Sequence, residues 1–182
     1  MADIDYSPVH DLETMHEAIH RLLAHYEPLP FVDISGNLPR HATLKYNHRS
    51  LAQIEQIVIH HVGVDAAVTP EQTAEYHIRK GWPGIGYTFY VRTNGDAYQT
   101  QPLGVVSYHC AGACNVKGIG ICLEGSFMHH EPPEAQLEAT RAVVGWLFAQ
   151  LPQPLAVFGH QELRQTACPG DTWGAWKDKI LP

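Results

Sequence analysis

Positive charge is scarce in this sequence. Twelve Lys and Arg stand against 19 Asp and Glu in 182 residues, giving a formal net charge of -7 and a pI of about 6.0. Such a chain has no basic stripe to lay along a phosphate backbone, so nucleic acid is not an expected partner. Long apolar runs are missing too: no stretch reaches the ~18 residues that cross a bilayer, and no membrane insertion is expected. The first residues, MADIDYSPVHDLET, are acidic where a secretory leader would be basic and then apolar, so synthesis and folding in the cytoplasm are expected. Cysteine is sparse as well. The four present, at 110, 114, 122 and 168, are unevenly placed and do not form a disulfide scaffold; they point to separate jobs. Internal repeats and low-complexity linkers are absent. With 45% hydrophobic and 17% charged residues, the chain can bury one sizeable core, and a single-domain monomer is expected.

Histidine, by contrast, is plentiful: there are 13. Most must be surface or satisfied core residues, because a metal site needs only three or four ligands. Residues 11–27 carry Leu12, Met15, Ile19, Leu22, Leu23 and Tyr26 on one helical face, ended by Pro28 and Pro30. Residues 31–50 have no period and read as a connector. The run IEQIVIHH (54–61) is apolar enough for a central strand. Thr69-Pro70-Glu71-Gln72 then combines a capping hydroxyl, a first-turn proline and a glutamine that closes a capping box, predicting a helix over 70–80 stopped at Gly81. Asn94-Gly95 between two β-rich runs predicts a hairpin within 86–100. Further strands are read at 118–125 and 155–158. A helix is read over 134–151, with Leu137, Val144, Leu147, Phe148 and Leu151 at helical spacing, and a short helix with Trp173, Trp176 and Ile180 closes the chain. The fold class is α/β, a mixed central sheet flanked by helices.

These elements place three soft donors at strand ends. His60 closes the first buried strand, His160 follows the last, and Cys168 ends the loop GHQELRQTACPGD (159–171). Two imidazoles and a thiolate suit zinc, and three protein ligands leave a fourth position for water, as in catalytic sites. A metal so held lowers the pKa of bound water and polarises a carbonyl, which is chemistry for hydrolysis. His61, next to His60, must face the other side of the sheet because strand side chains alternate.

Four blocks, IVIHH (57–61), GIGYTFYVRTNGDAYQ (84–99), VSYHCAGACNVKGIGICLEGSF (106–127) and GHQELRQTACPGD (159–171), resemble the zinc N-acetylmuramoyl-L-alanine amidases of type 2. That superfamily includes phage endolysins and peptidoglycan recognition proteins. The resemblance covers about residues 50–182 and implies an amidase type 2 fold there. Residues 1–49 read as a helical N-terminal extension packed on that domain. The resemblance implies one Zn2+ per chain, held by His60, His160 and Cys168, and bacterial peptidoglycan as the partner. Tyr87 matches the tyrosine that reaches the zinc-bound water or the developing oxyanion. Glu124 matches the general-base glutamate of cell-wall recycling amidases. Thr166 stands where lysozyme-like phage amidases carry lysine and catalytic recognition proteins carry threonine. His109 and, more weakly, Asn115 are read as substrate contacts. Cys110 and Cys114, bracketing Ala111-Gly112-Ala113, are free thiols or a local disulfide, and cytoplasmic synthesis favours thiols. Cys122 is read as core. The expected activity is hydrolysis of the lactyl–L-alanine amide bond of peptidoglycan by a phage or prophage endolysin. The alternatives are an intracellular muropeptide-recycling amidase and a non-catalytic peptidoglycan-binding module; the latter usually replaces the cysteine ligand.

Overall fold

The computed structural model describes residues 28–182, so the helix expected over 11–27 lies outside the described residues. In chain order the elements are β1 (Val32–Asp33), β2 (Gln56–His61), α1 (Pro70–Arg79), β3 (Phe89–Val91), β4 (Ala97–Gln99), α2 (Ala113–Lys117), β5 (Gly118–Leu123), α3 (Glu134–Gln150), β6 (Ala156–Gly159), α4 (His160–Leu163) and α5 (Trp173–Trp176). The strands form one mixed sheet in the order β1-β4-β3-β5-β2-β6. β2 pairs in parallel with β5 and β6, and β3 pairs in parallel with β5. β3 and β4 are antiparallel, joined by the Asn94-Gly95 turn, where Gly95 takes φ 91°. The capping box at the start of α1 forms as its sequence predicts: Thr69 Oγ1 accepts from Gln72 N at 3.3 Å, and Gln72 Oε1 accepts from Thr69 N at 2.9 Å. β1 lies in the stretch read as a connector and pairs in parallel with β4. None of the described helices is long and apolar enough to cross a membrane.

Strand alternation divides the core. Ile57, Ile59, Ile119 and Ile121 face α3 and the C-terminal helices, where Leu137, Val143, Val144, Leu147, Trp173, Trp176 and Ile180 are buried. Both indoles are satisfied: Trp173 donates to Glu162 at 2.9 Å and Trp176 to Thr172 Oγ1 at 3.2 Å, so each buries its ring without orphaning its N–H. Phe148 differs from expectation. It is 38% exposed, because at about 100° per residue it falls on the margin of the stripe, and Val143 takes the buried place instead. The opposite sheet face carries Tyr90 and Cys122, covered by Ala74 of α1 with Leu38 and Ile85. This face also carries His60, and its strand ends hold the functional residues.

Candidate metal centre

β2 and β6 lie side by side and parallel, so their carboxyl ends open on the same edge of the sheet. His60 is the penultimate residue of β2, and His160 is the first residue past β6. The loop after α4 returns Cys168 to the same point. The donor atoms of His60, His160 and Cys168 all lie within 4.8 Å of one another. His60 Nδ1 is 3.6 Å from Cys168 Sγ. For ligand bonds of ~2.05 and ~2.3 Å in a tetrahedral shell, the expected nitrogen–sulfur separation is about 3.6 Å, so the pair fits a zinc ion. Cys168 is a free thiol, and the amide of His61 donates to its sulfur at 3.4 Å. Burial pushes the pKa values of His60 and His160 down, keeping both rings neutral and their lone pairs available. His61 turns to the far face, where its Nδ1 accepts from Phe127 N at 3.1 Å.

Tyr87, half-buried, lies beside this trio with its ring 5.3 Å from that of His60. Burial first, then Cys122 and Cys168, push its phenol well above the usual range, so it is a neutral donor. His77 packs between Trp82, at 4.5 Å, and Tyr87, at 5.5 Å, and its Nδ1 accepts from Gly86 N at 3.0 Å. Nothing in the sequence pattern marked His77, which lies on the inner side of an otherwise polar helix. Thr166 is exposed at the rim; its oxygen accepts from Cys168 N at 3.3 Å, leaving its own O–H free to donate.

Glu124 is 1% exposed and has both carboxylate oxygens engaged. Oε1 accepts from Val68 N at 2.9 Å, and Oε2 accepts from Thr93 N at 3.1 Å and Arg92 Nε at 3.3 Å. Asn115 is similarly occupied: its Oδ1 receives the amides of His109, Cys110 and Ala111 at 3.0, 2.7 and 3.0 Å. His109 is 7% exposed and sits behind His60, with Nδ1 3.0 Å from His60 Nε2. The thiol expectation for Cys110 and Cys114 is corrected, because the two form a disulfide. The short α2 turn, entered through Ala111 and Gly112 at positive φ, brings their Cα atoms to 5.5 Å.

Residues 50–171 match the family model Amidase_2, described as N-acetylmuramoyl-L-alanine amidase. The chain belongs to that amidase family. Among solved structures it is similar to the N-acetylmuramoyl-L-alanine amidase LysC from Clostridium intestinale URNW, at 31% identity and TM-score 0.71, covering 84% of this chain and 98% of that one. It is also similar to an endolysin from a Thermus scotoductus bacteriophage, at 26% identity and TM-score 0.71, covering 84% and 99%. Among curated proteins it is 28% identical over 137 residues to peptidoglycan recognition protein 1 of Bos indicus, covering 70% of this chain and 72% of that one.

In this member of the amidase family, two clefts flank the trio. One, of about 370 Å³, is walled by Val62, Val64, Val68, Tyr76 and Tyr87. The other, of about 450 Å³, lies between Trp82, Tyr108, the disulfide loop and Arg164. Arg164 fastens that loop by donating to the carbonyls of Cys110 and Ala111, both at 2.9 Å.

Proposed function

We propose that this chain is a zinc-dependent N-acetylmuramoyl-L-alanine amidase that hydrolyses the lactyl–L-alanine amide bond of peptidoglycan, acting as a phage or prophage endolysin. The observation that carries the reading is the convergence of His60, His160 and Cys168, with the His60 Nδ1 to Cys168 Sγ separation fitted to tetrahedral zinc. One zinc ion bound there would supply Lewis acidity toward the amide carbonyl and lower the pKa of a water. Tyr87 offers its phenolic proton to the oxygen on which negative charge develops, and Thr166 offers a second, uncharged donor from the rim. The flanking clefts hold glycan and peptide on either side, keeping the amide over the donors.

We place Glu124 in the scaffold, because its oxygens are already committed to Val68, Arg92 and Thr93. This weakens the recycling alternative, which rested on that residue. The free Cys168 within the donor trio favours the enzyme over the binding module. The deciding experiment combines metal analysis of the purified protein with mass spectrometry of digested peptidoglycan. About one zinc per chain and new L-alanine amino termini are expected; pelleting with cell walls without new termini would leave only a binding module.

A further inference from the structure

His109 has no task in the reaction outlined above, yet it is among the most constrained side chains near the donors. Its ring lies on β5, where both nearby same-face positions are glycine. A Cβ on Gly118 would come within 2.9 Å of His109 Cε1, and one on Gly120 within 2.7 Å of Cγ. Glycine inside a strand weakens it and marks a close approach, so the GIG of β5 is the bed of this ring. The far end of the ring is anchored as firmly. His109 Nε2 lies 3.2 Å from the carbonyl oxygen of Gly118. Arg49 Nη1 donates to that same oxygen at 2.7 Å, and also to Asn115 O and Val116 O at 2.8 Å each.

These contacts decide the proton positions in turn. A carbonyl only accepts, so His109 Nε2 carries hydrogen, and in the neutral ring its Nδ1 is then an acceptor. The atom 3.0 Å from that Nδ1 is His60 Nε2, which must therefore be the donor. His60 is left with its lone pair on Nδ1, the nitrogen that faces Cys168 Sγ. We propose that His109 is a positioning residue: through the chain from the Gly118 carbonyl to His109 to His60, it fixes His60 as the Nε2–H tautomer and presents Nδ1 to the metal. The two rings stand nearly perpendicular, at 85° with centroids 5.1 Å apart, so the bond also fixes the rotation of the His60 ring. A partner that orients a histidine ligand typically changes metal affinity 10–100-fold when it is lost. The consequence for zinc rests on the metal-site reading; the tautomer does not, because it is observable without metal.

Two polar replacements separate positioning from packing. His109→Asn puts an amide oxygen where Nδ1 was and can still accept from His60. His109→Gln can reach Gly118 but offers nothing at the Nδ1 position. In metal-free protein, long-range 15N–1H spectra of the imidazoles should show His60 as the Nε2–H tautomer in wild type and in His109→Asn, and a mixture in His109→Gln. Zinc affinity, measured by chelator competition, should fall about 10-fold or more in His109→Gln and recover most of that loss in His109→Asn. A metal-free wild type with its His60 proton on Nδ1 would overturn the proposal, as would equal affinity and equal tautomer in the two variants. If wild type took up no zinc, the metal reading would fail while the spectra still decided the role of His109.

Discussion

Val68 is held from both sides of its peptide: its N–H goes to Glu124 Oε1 at 2.9 Å, and its carbonyl accepts from Tyr90 Oη at 2.6 Å. The segment leading into α1, and with it one wall of the cleft, is thereby tied to β3 and β5. Glu124→Gln should consequently act on stability first. A neutral amide replaces a carboxylate that accepts from Val68 N, Thr93 N, Thr93 Oγ1 and the paired Arg92 Nε, at a cost of about 2 kcal/mol. Urea unfolding checks the loss, and the hydrolysis rate per folded molecule should stay close to wild type. A stable variant without activity would return Glu124 to proton transfer.

Tyr87→Phe should keep the fold and the metal, since the ring and its contacts with His60 and His77 survive. Hydrolysis should slow by roughly 100-fold, comparable to losing one oxyanion donor. Rates on purified peptidoglycan with metal content measured in parallel make the check; unchanged turnover would leave Tyr87 as wall only.

In the proposed site, Cys168→Ser would replace a thiolate ligand with a harder, weaker donor that stays protonated near neutrality. Zinc occupancy should fall sharply and release of L-alanine amino termini should nearly stop. Pelleting with cell walls should persist, because Trp82, Tyr108 and Arg164 still line their cleft. A variant that keeps both zinc and hydrolysis would dissociate Cys168 from the metal.

Acid should weaken the fold through His77. Burial first, and Lys80 second, lower its pKa from 6.5 to about 4. Below pH 6.5 the unfolded chain takes up a proton that the folded chain refuses until about pH 4. The contribution of His77 is therefore complete above pH 6.5 and is lost as pH falls toward 4, about 3 kcal/mol in all. His77→Asn keeps an acceptor for Gly86 N and abolishes the titration, so its stability should fall less steeply over that interval. Urea melts at a series of pH values test this, and parallel slopes for the two proteins would count against it.

Periodicity and capping chemistry made the central elements legible. The apolar run closed by His60 and His61 is β2, the Thr69 capping box opens α1, and Asn94-Gly95 turns the hairpin. His60 and His160 were legible for a related reason: each stands at or just past the end of one of two parallel strands, whereas Cys168 reaches them on a loop whose path no alternation fixes. What the pattern hid depends on contacts between distant segments. The two residues of β1 are too few to show a period and exist by pairing with β4. The seat of His109 is written only as two glycines in β5, which reads as weak strand until the ring that lies on them is known. The Cys110–Cys114 bond needed the path of the loop, since a spacing of four fits thiols and disulfide alike.

His60 and Cys168 stand 108 positions apart along the chain. In the denatured ensemble they do not meet, so an ion with affinity for the trio selects molecules that have already closed nearly the whole topology. Its binding free energy then counts toward global folding, growing as RT ln(1 + [L]/Kd) with free metal. If zinc is that ion, as proposed, its supply would set lifetime as well: a chelator would shorten survival against proteases even at peptide bonds far from the cleft.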